Sequence, residues 1–468
     1  MSKTILEKRY LKIQFKNISP LAIGGGEGDL TDQNVLRDSK GNPYIPGSAL
    51  AGVYRRLFTE DKNGEGDAKK YFGPKIDGKK GDQNKAEESQ IVTYDATIQD
   101  VGKKHTIIRD MVALEKENKV AKRGAKFDLE AIATGTTFVT YVEWNITEES
   151  ELNNSNNPLA VIADAYRTGD LYIGSKTERG YGQIKAETIS YKEFQLRTEQ
   201  GTTGKDLGDW LDFSMYSEDQ EWDTFTQTIE KADKQERTIV LHLKQVGGIA
   251  IRRYTTEDGK ADYEQLTIQR NDETQEKPVI PGTSWAGAFR SQIHRLNPGL
   301  KLEDYFGKAN SKSKDSRKSE IRFSESVIEG AKPQYITRNA IDRFTNAALD
   351  RALYTEKTWY EGKTDLTITL GKKIAGDETF CSVLSAAIAD LHEGYLSVGG
   401  LTAVGRGLFT IENIKLDQVG TNTDGTSICD MKKELENNKK ELENNKINVS
   451  ECTEGEIIYQ WLVTKLKK

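Results

Sequence analysis

The sequence predicts an α+β fold built from two copies of one domain. Three observations carry that prediction: blocks of residues that recur in the same order, stretches that alternate apolar and polar residues, and helix-spaced segments between them. The repeats come first because they set the architecture. PYIPGSALAG at 43–52 recurs as PVIPGTSWAG at 278–287, an offset of 235. Tyr71-Phe72-Gly73 recurs as Tyr305-Phe306-Gly307, IVTYDATI at 91–98 as IRFSESVI at 321–328, and Arg109 as Arg338. A glycine-rich block from Gly169 recurs from Gly394, where the offset has drifted to 225. Short loop insertions and deletions explain such a drift. The repeats divide the chain into a first domain at 1–191, a connector at 192–236, a second domain at 237–416, and a tail at 417–468.

Within each copy the elements follow one order. YLKIQFKNI (10–18) and RTIVLHLKQV (237–246) alternate as half-buried strands do. SALAGVYRRLF (48–58) and TSWAGAFRSQI (283–293) have helical spacing and follow a Pro-Gly turn. Ser48 and Thr283 stand where an N-cap hydroxyl would. TTFVTYVEWNI (136–146) and TDLTITL (364–370) read as strands again. VIADAYRTG (161–169) and LSAAIADLHEG (384–394) read as helices ending at a glycine C-cap. Strand, helix, strands, helix, strand is the order of a ferredoxin-like or RRM-like domain. In the connector, Trp210, Phe213, Trp222 and Phe225 predict that part of it docks on a domain. The tail carries KELENNK twice, at 433–446, with one Leu per heptad. That is too little for a buried stripe, so a solvated helix or spacer is expected. The final EIIYQWLVTKLKK is amphipathic and reads as a packed helix.

Composition narrows the class. Of 468 residues, 36% are hydrophobic and 30% charged, enough for a sizeable core and far from a disordered balance. The 67 Lys+Arg against 73 Asp+Glu give a net charge of -6, which argues against a uniformly polybasic nucleic-acid coat. A binder with local positive charge remains open. Such patches exist: residues 102–126 hold eight Lys/Arg against three Asp/Glu, and 308–322 hold six against two. Cys381, Cys429 and Cys452 are too scattered for a disulfide framework or a Cys zinc site, and read as free thiols of a reducing cytoplasm. The N-terminal residues show no apolar signal segment, and no membrane span is expected. The histidines, His105, His242, His294 and His392, are not at metal-ligand spacing.

Each copy ends in a glycine-rich loop: Gly174, Arg179, Gly180 and Gly182 in the first, Gly399, Gly405, Arg406 and Gly407 in the second. Glycine permits positive φ and close approach of backbone to phosphate. A Walker A loop is excluded, because Ser175 stands where Lys is required. A dinucleotide fingerprint is excluded too, because the loop follows a helix and leads into a strand, QIKAETI or LFTIENI. Chain reversal alone and contact with an RNA backbone are the two readings left.

These blocks, with LAIGGGEG at 21–28 and ITRNAIDRFTNAALDRALYTE at 336–356, resemble the RAMP superfamily of CRISPR-associated proteins. More narrowly they resemble the backbone subunits of type III CRISPR effector complexes, and a tandem fusion of two such subunits resembles type III-D systems. The resemblance implies modified RRM-like domains, each with an inserted thumb hairpin. It implies subunits that stack along a CRISPR guide RNA, pair it with complementary target RNA, and contact other subunits of the complex. It also implies one catalytic aspartate per domain, in a pattern like Asp-x-x-Val-Ile-x-Asp. Residues 32–38 match, so Asp32 is the candidate catalytic residue and the candidate ligand of Mg²⁺ or another divalent metal. In the second copy the matching stretch begins at Glu264, with Asp262 two residues earlier, and either is a candidate.

The chemistry asks for these residue types. RNA cleavage needs a 2′-OH or water deprotonated and the leaving oxygen stabilised, and a carboxylate serves by positioning the nucleophile or by holding a metal. Mg²⁺ favours a carboxylate with waters and substrate phosphate. Asp29 and Glu27 lie near Asp32, and Asp38-Ser39-Lys40-Gly41 reads as a turn with Asp38 structural. Phosphate contact requires cations. The RNA-contact candidates are Ser48, Arg55, Arg56, Arg109, Arg123, Thr283, Arg290 and Arg338, together with the glycine loops and their Arg179 and Arg406. The helix start after each Pro-Gly is a ready anion site. Met111 or Ile341 either wedges between bases, as thumbs of this family do, or packs in a core. Two other readings stand beside the lead: a guide-binding filament subunit without an active site, and a guide-RNA processing endonuclease using His105, otherwise a surface or backbone-contacting residue.

Overall fold

The computed structural model describes residues 4–26, 31–58, 66–74, 88–99, 105–114, 121–152, 157–198, 202–229, 236–254, 261–269, 275–308, 317–417, 426–430 and 453–466. Glu27, Asp29, the KELENNK repeat and Cys452 lie outside the described residues. The chain divides into two compact units, one essentially residues 1–232 and the other 233–468, apart from two short exchanged segments. Both mix sheets with a few helices, an α+β architecture. Among the described residues no helix is long and apolar enough to cross a membrane.

The first unit runs β1 (Glu7–Asn17), α1 (Gly47–Arg55), α2 (Asp67–Phe72), β2 (Ile91–Thr93), β3 (Thr97–Ile98), β4 (Thr106–Leu114), β5 (Ala121–Ile132), β6 (Thr137–Ile146), α3 (Pro158–Thr168), β7 (Leu171–Tyr172), β8 (Gln183–Gln195), α4 (Leu207–Asp212) and β9 (Asp223–Thr224). Its sheet has the order β2-β6-β1-β8-β7, with β1 antiparallel to both β6 and β8. Alternation along β1 buries Leu11, Ile13 and Phe15 completely against the helices. There Tyr54 of α1 and Tyr166 of α3 join hydroxyls at 2.7 Å. The opposite face of β1 is covered by the segment after β8. Tyr10 packs on Phe213 with centroids 5.0 Å apart and accepts a hydrogen bond from Trp210 Nε1 at 3.0 Å. The docking read from the connector's aromatic residues is therefore observed. β4 and β5 form a two-stranded hairpin outside that sheet.

The second unit repeats the plan: β10 (Arg237–Val246), β11 (Arg252–Tyr254), β12 (Tyr263–Gln265), β13 (Thr267–Ile268), β14 (Lys277–Ile280), α5 (Gly282–Leu296), α6 (Leu302–Phe306), β15 (Ile321–Phe323), β16 (Ser326–Val327), β17 (Lys332–Ile341), β18 (Ala348–Tyr360), β19 (Lys363–Leu370), α7 (Lys372–Ala375), α8 (Glu378–His392), β20 (Leu408–Asp417), β21 (Thr426–Asp430) and α9 (Glu454–Leu466). Its main sheet is β15-β19-β10-β20-β21. β17 and β18 form the long hairpin, capped by Asp342, whose carboxylate accepts the Phe344 and Thr345 N–H groups at 2.9 and 2.8 Å. α9 buries Ile457, Ile458, Leu462 and Leu466, and ties to α8 through Tyr459 and Ser382 at 3.0 Å.

Two helix starts depart from expectation. α1 and α5 take Pro46 and Pro281 as N-caps, so Ser48 and Thr283 fall inside the first turn and cap nothing. At α1 the end is filled instead by Asp95, whose Oδ1 accepts the Gly47 N–H at 2.7 Å. That carboxylate, and not an empty anion site, meets the helix dipole.

One buried amide per unit sets where the hairpin leaves the sheet. Asn17 Nδ2 donates to Ser19 O at 3.0 Å and Ala133 O at 2.9 Å, while its Oδ1 accepts the Thr136 N–H at 2.9 Å. Gln245 Nε2 donates to Gly247 O at 2.8 Å and Trp359 O at 2.6 Å, while its Oε1 accepts the Gly362 N–H at 3.3 Å. Each unpaired buried polar group costs roughly 1–3 kcal/mol. We therefore expect Asn17→Ala and Gln245→Ala each to lower the urea-unfolding free energy of its unit by about 3 kcal/mol or more. A loss below about 1 kcal/mol would show that the amide does not organise the junction.

Candidate active site

In both units the chain leaving the first strand runs beneath the glycine-rich loop. Gly182 N–H donates to Pro20 O at 2.7 Å and Gly407 N–H to Gly248 O at 2.9 Å. Ser175 N–H donates to Ala22 O at 2.8 Å, and Gly400 N–H to Ala250 O at 2.7 Å. The backbones approach so closely that a Cβ on Gly182 would lie 2.0 Å from Ile173 O, and one on Gly407 1.9 Å from Val398 O. Both residues also have positive φ, +79° and +74°. Packing inside each unit thus demands these two glycines. Gly174, Gly399 and Gly405 are exposed, and Gly180 shares the left-handed φ of Gly405.

The loop then crosses the base of the hairpin. Gln33 bridges Leu129 of β5 in parallel. Asp32 is exposed, and its Oδ2 accepts the Asp128 N–H at 2.8 Å. In the second unit Tyr263 pairs in parallel with Glu356 of β18, and Asp262 Oδ2 accepts the Thr355 N–H at 2.7 Å. Leu36 N–H to Ile23 O at 2.9 Å and Leu266 N–H to Ile251 O at 2.7 Å continue the match. Asp262, also exposed, is therefore the counterpart of Asp32. The assignment of Glu264 to that position is corrected: Glu264 lies in β12 opposite Lys357 and corresponds to Asn34. A slip of two keeps every side chain on its own face, so the apolar pattern does not reveal it. Asp38 accepts the Lys40 and Asn42 N–H groups at 2.9 and 2.8 Å, which holds a turn and its carboxyl below the usual range.

The neighbourhoods of the two aspartates differ. In the first unit Asp110 lies directly opposite Asp128 across the hairpin. The Asp128 carboxyl lies above its usual value chiefly because its protonated form can donate a hydrogen bond to Asp110, with desolvation and the Asp110 charge adding. In the second unit the same places hold Thr337 and Thr355, with hydroxyls 2.9 Å apart. Among the described residues no group of three or more His, Cys, Asp or Glu side chains could hold a metal ion.

The cationic candidates separate by burial. Arg56, Arg123, Arg179 and Ser48 are exposed, and Thr283 is half-buried. Arg55 donates to Gly73 O at 2.6 Å, and Arg290 lies 5.8 Å from the Phe306 ring, so both hold the Tyr-Phe-Gly turn. Arg109 is only 4% exposed, which removes it from contact with a phosphate. It also is not the counterpart of Arg338. Arg109 faces Leu129, while Glu356, which corresponds to Leu129, faces Ile336. Arg338 sits two residues farther out, 3.3 Å from Glu356. Arg406 is likewise corrected: it is 3% exposed and ion-paired with buried Glu356. In the first unit Tyr181 takes the place of Arg406 and packs with Leu129 and Ala131 in an apolar cluster. Met111 packs on that cluster, whereas Ile341 is 65% exposed and belongs to no core. Neighbouring Phe344, at 84%, is more exposed still. His105 is buried and not on the surface. The 308–322 patch is partly neutralised, with Lys308 on Glu303 and Arg317 on Asp304. Sequence reasoning passed over Glu356, Asp110 and Asp128. Their signal lay in the cross-strand pairing, which no linear repeat displays.

Comparison with known proteins agrees with this duplicated arrangement. The family model described as "RAMP superfamily" matches residues 14–185 and 247–410, one stretch per unit. The chain is 30% identical over 186 residues to the "CRISPR system Cms endoribonuclease Csm3" of Methanocaldococcus jannaschii. That alignment covers 36% of this chain and 71% of the relative.

The exchange of Tyr181 with Leu129 for Arg406 with Glu356 yields a stability prediction. Arg406→Ala leaves Glu356 buried with only Arg338 beside it, and is expected to cost about 3 kcal/mol in urea unfolding. The double variant Arg406→Tyr with Glu356→Leu, which copies the first unit, should recover most of that loss. Equal loss in the double variant would refute the equivalence.

Proposed function

The chain belongs to the RAMP superfamily, and from that premise we propose that it is a backbone subunit of a type III CRISPR ribonucleoprotein. In this reading it works in the cytoplasm beside other subunits, binds CRISPR guide RNA, and cleaves complementary target RNA once per unit, at Asp32 and at Asp262. The observation that carries the reading is the shared hydrogen bond. Two exposed aspartates, 230 residues apart, are each held through Oδ2 by a backbone N–H at the hairpin base. A turn-forming or merely solvated aspartate has no reason to recur in that geometry.

The strand order β2-β6-β1-β8, with a helix on either side of the hairpin in sequence, supports the modified ferredoxin-like or RRM-like description. The β4–β5 and β17–β18 hairpins are the segments we assign as thumbs. In the second, Ile341, Phe344, Leu349 and Leu353 stand exposed, which suits a wedge between bases. Arg56, Arg123, Arg179 and Arg338, with the exposed glycines of the two loops, are the groups we assign to the RNA backbone.

Chemically, the backbone N–H fixes the orientation of each carboxylate. The carboxylate can then accept the proton of the attacking hydroxyl or water. The described residues offer no cage for a resident metal. One carboxylate suits a divalent ion held mostly by water and RNA phosphate, and such an ion would stabilise charge on the phosphoryl oxygens.

In the assembled complex with guide and target, Asp32→Ala and Asp262→Ala are each expected to abolish one of two cuts, by roughly a hundredfold or more. Guide binding should stay within about twofold, since neither residue is a cation. A complex carrying Asp32→Ala that still cuts at both positions would overturn the assignment, and cutting unaffected by either variant would leave a non-catalytic guide-binding subunit.

A further inference from the structure

The outer face of the first sheet has the make-up of a surface for a single strand of nucleic acid, yet a segment of the same chain lies on it. Tyr10 shares its face of β1 with Lys8 and Lys12, because side chains alternate along a strand. Residues directly opposite across a ladder lie on the same face. Glu143 and Lys192 stand opposite Tyr10, Phe194 opposite Lys8, and Tyr141 opposite Lys12. Three lysines and three rings therefore meet beneath the connector with one carboxylate, Glu143, which takes Lys8 and the Tyr94 hydroxyl. Rings set among cations are what a single strand binds, with bases on the rings and phosphates on the cations.

The connector meets this face as such a strand would. Lys8 Nζ lies 5.3 Å from the Trp210 ring, and Lys12 Nζ lies 5.8 Å from the Trp222 ring. The Phe213 ring is 5.0 Å from Tyr10 and 4.9 Å from Phe194, and Trp222 is 5.9 Å from Tyr141. Lys192 donates to Glu221 O at 3.2 Å. Residues 206–223 carry seven Asp or Glu and no Lys or Arg, and six of the seven are exposed. Rings thus stand where bases would, on a segment with the charge sign of a phosphate backbone. Trp210, Phe213 and Trp222 pack on a small cluster of Tyr10, Phe194 and Leu196, separate from the core under the helices. The segment can therefore lift without opening that core.

The second unit has no such platform. Counting back from Asn17 and Gln245, Tyr10 and Lys12 correspond to Thr238 and Val240. Tyr141, opposite Lys12, corresponds to Thr367, opposite Val240. No ring and no cation stands at these three positions.

We propose that residues 207–225 are an intramolecular plug, which mimics a single strand of nucleic acid and closes the outer face of the first sheet to one. A covered site loses apparent affinity in proportion to the fraction of molecules in which the cover is open. None of the residues involved takes part in the cleavage reading above. RNA and single-stranded DNA share the chemistry that would fill the face, and both enter the test.

The test uses the full chain and the anisotropy of labelled 12-nucleotide U and dT strands. Trp210→Leu with Trp222→Leu keeps an apolar cover and removes both rings from the lysines. This double variant is expected to bind one more strand per chain than the parent at the same concentration, an affinity shift of that site by about tenfold. Adding Lys12→Ser and Lys192→Ser should remove the gain. The two lysine exchanges alone should leave binding by the parent chain within about twofold, because the plug already covers them. A gain with U alone assigns the face to RNA, a gain with both strands assigns it to any single strand, and either supports the plug. No gain in a double variant whose thermal unfolding matches the parent's, or a gain that survives the lysine exchanges, overturns the proposal and leaves the connector a structural cover. If the double variant does not fold, deuterium uptake by the parent chain decides. Plug and strand exclude one another, so uptake over 207–225 should rise as the strand is titrated, and uptake indifferent to the strand overturns the proposal.

Discussion

A buried amide at the end of the first strand decides the geometry of each unit. Asn17 and Gln245 are 0% and 4% exposed, and each spans two pieces of backbone that the bridges Leu21–Ile132 and Ile249–Trp359 also hold together. On one side is the loop leaving β1 or β10. On the other is the junction where the hairpin returns to the sheet. A buried amide must satisfy its donors and acceptor inside the protein. It can do so here only if loop and junction lie at one distance. That distance carries the loop across the hairpin base, and there Asp32 and Asp262 meet the backbone N–H groups of β5 and β18.

On this common frame the two units have diverged in chemistry while keeping geometry. The contact between glycine loop and hairpin is apolar in one, Tyr181 against Leu129, and ionic in the other, Arg406 with Glu356. Either solution satisfies a buried position, because a charge is tolerated only with its partner and an apolar residue only without one. The same holds beside the aspartates, where Asp110 and Asp128 in one unit become Thr337 and Thr355 in the other. The first unit also covers the outer face of β1 with aromatic residues of the following segment. In the second, α9 packs on α8.

Much of the fold was legible in the sequence because its signals are local. Strand alternation at 10–18 and 237–246, the helices ending near Gly169 and Gly394, and the ordered repeat all depend on residues close in the chain. The candidate site was legible in part. Asp32 was singled out through its motif, Glu264 was aligned with it while Asp262 stood as a second candidate, and Arg338 was taken for the counterpart of Arg109. Both errors are slips of two residues. Along a strand a slip of two preserves the inside–outside pattern, so only the pairing partner reveals it. Burial was misread for the same reason. Arg406 and Arg109 look like exposed cations in a basic, glycine-rich context, and the groups that enclose them come from distant strands.

By itself, then, the sequence determined that the chain is a duplicated α+β protein and which family its blocks resemble. Those properties follow from periodicity, glycine placement and repeat order, each readable along one strand of text. Tertiary structure alone decided which aspartate of the second unit matches Asp32 and which arginines are sealed inside. Each of these depends on what lies across a strand pair, and hydrogen-bond register is set by the folded chain as a whole.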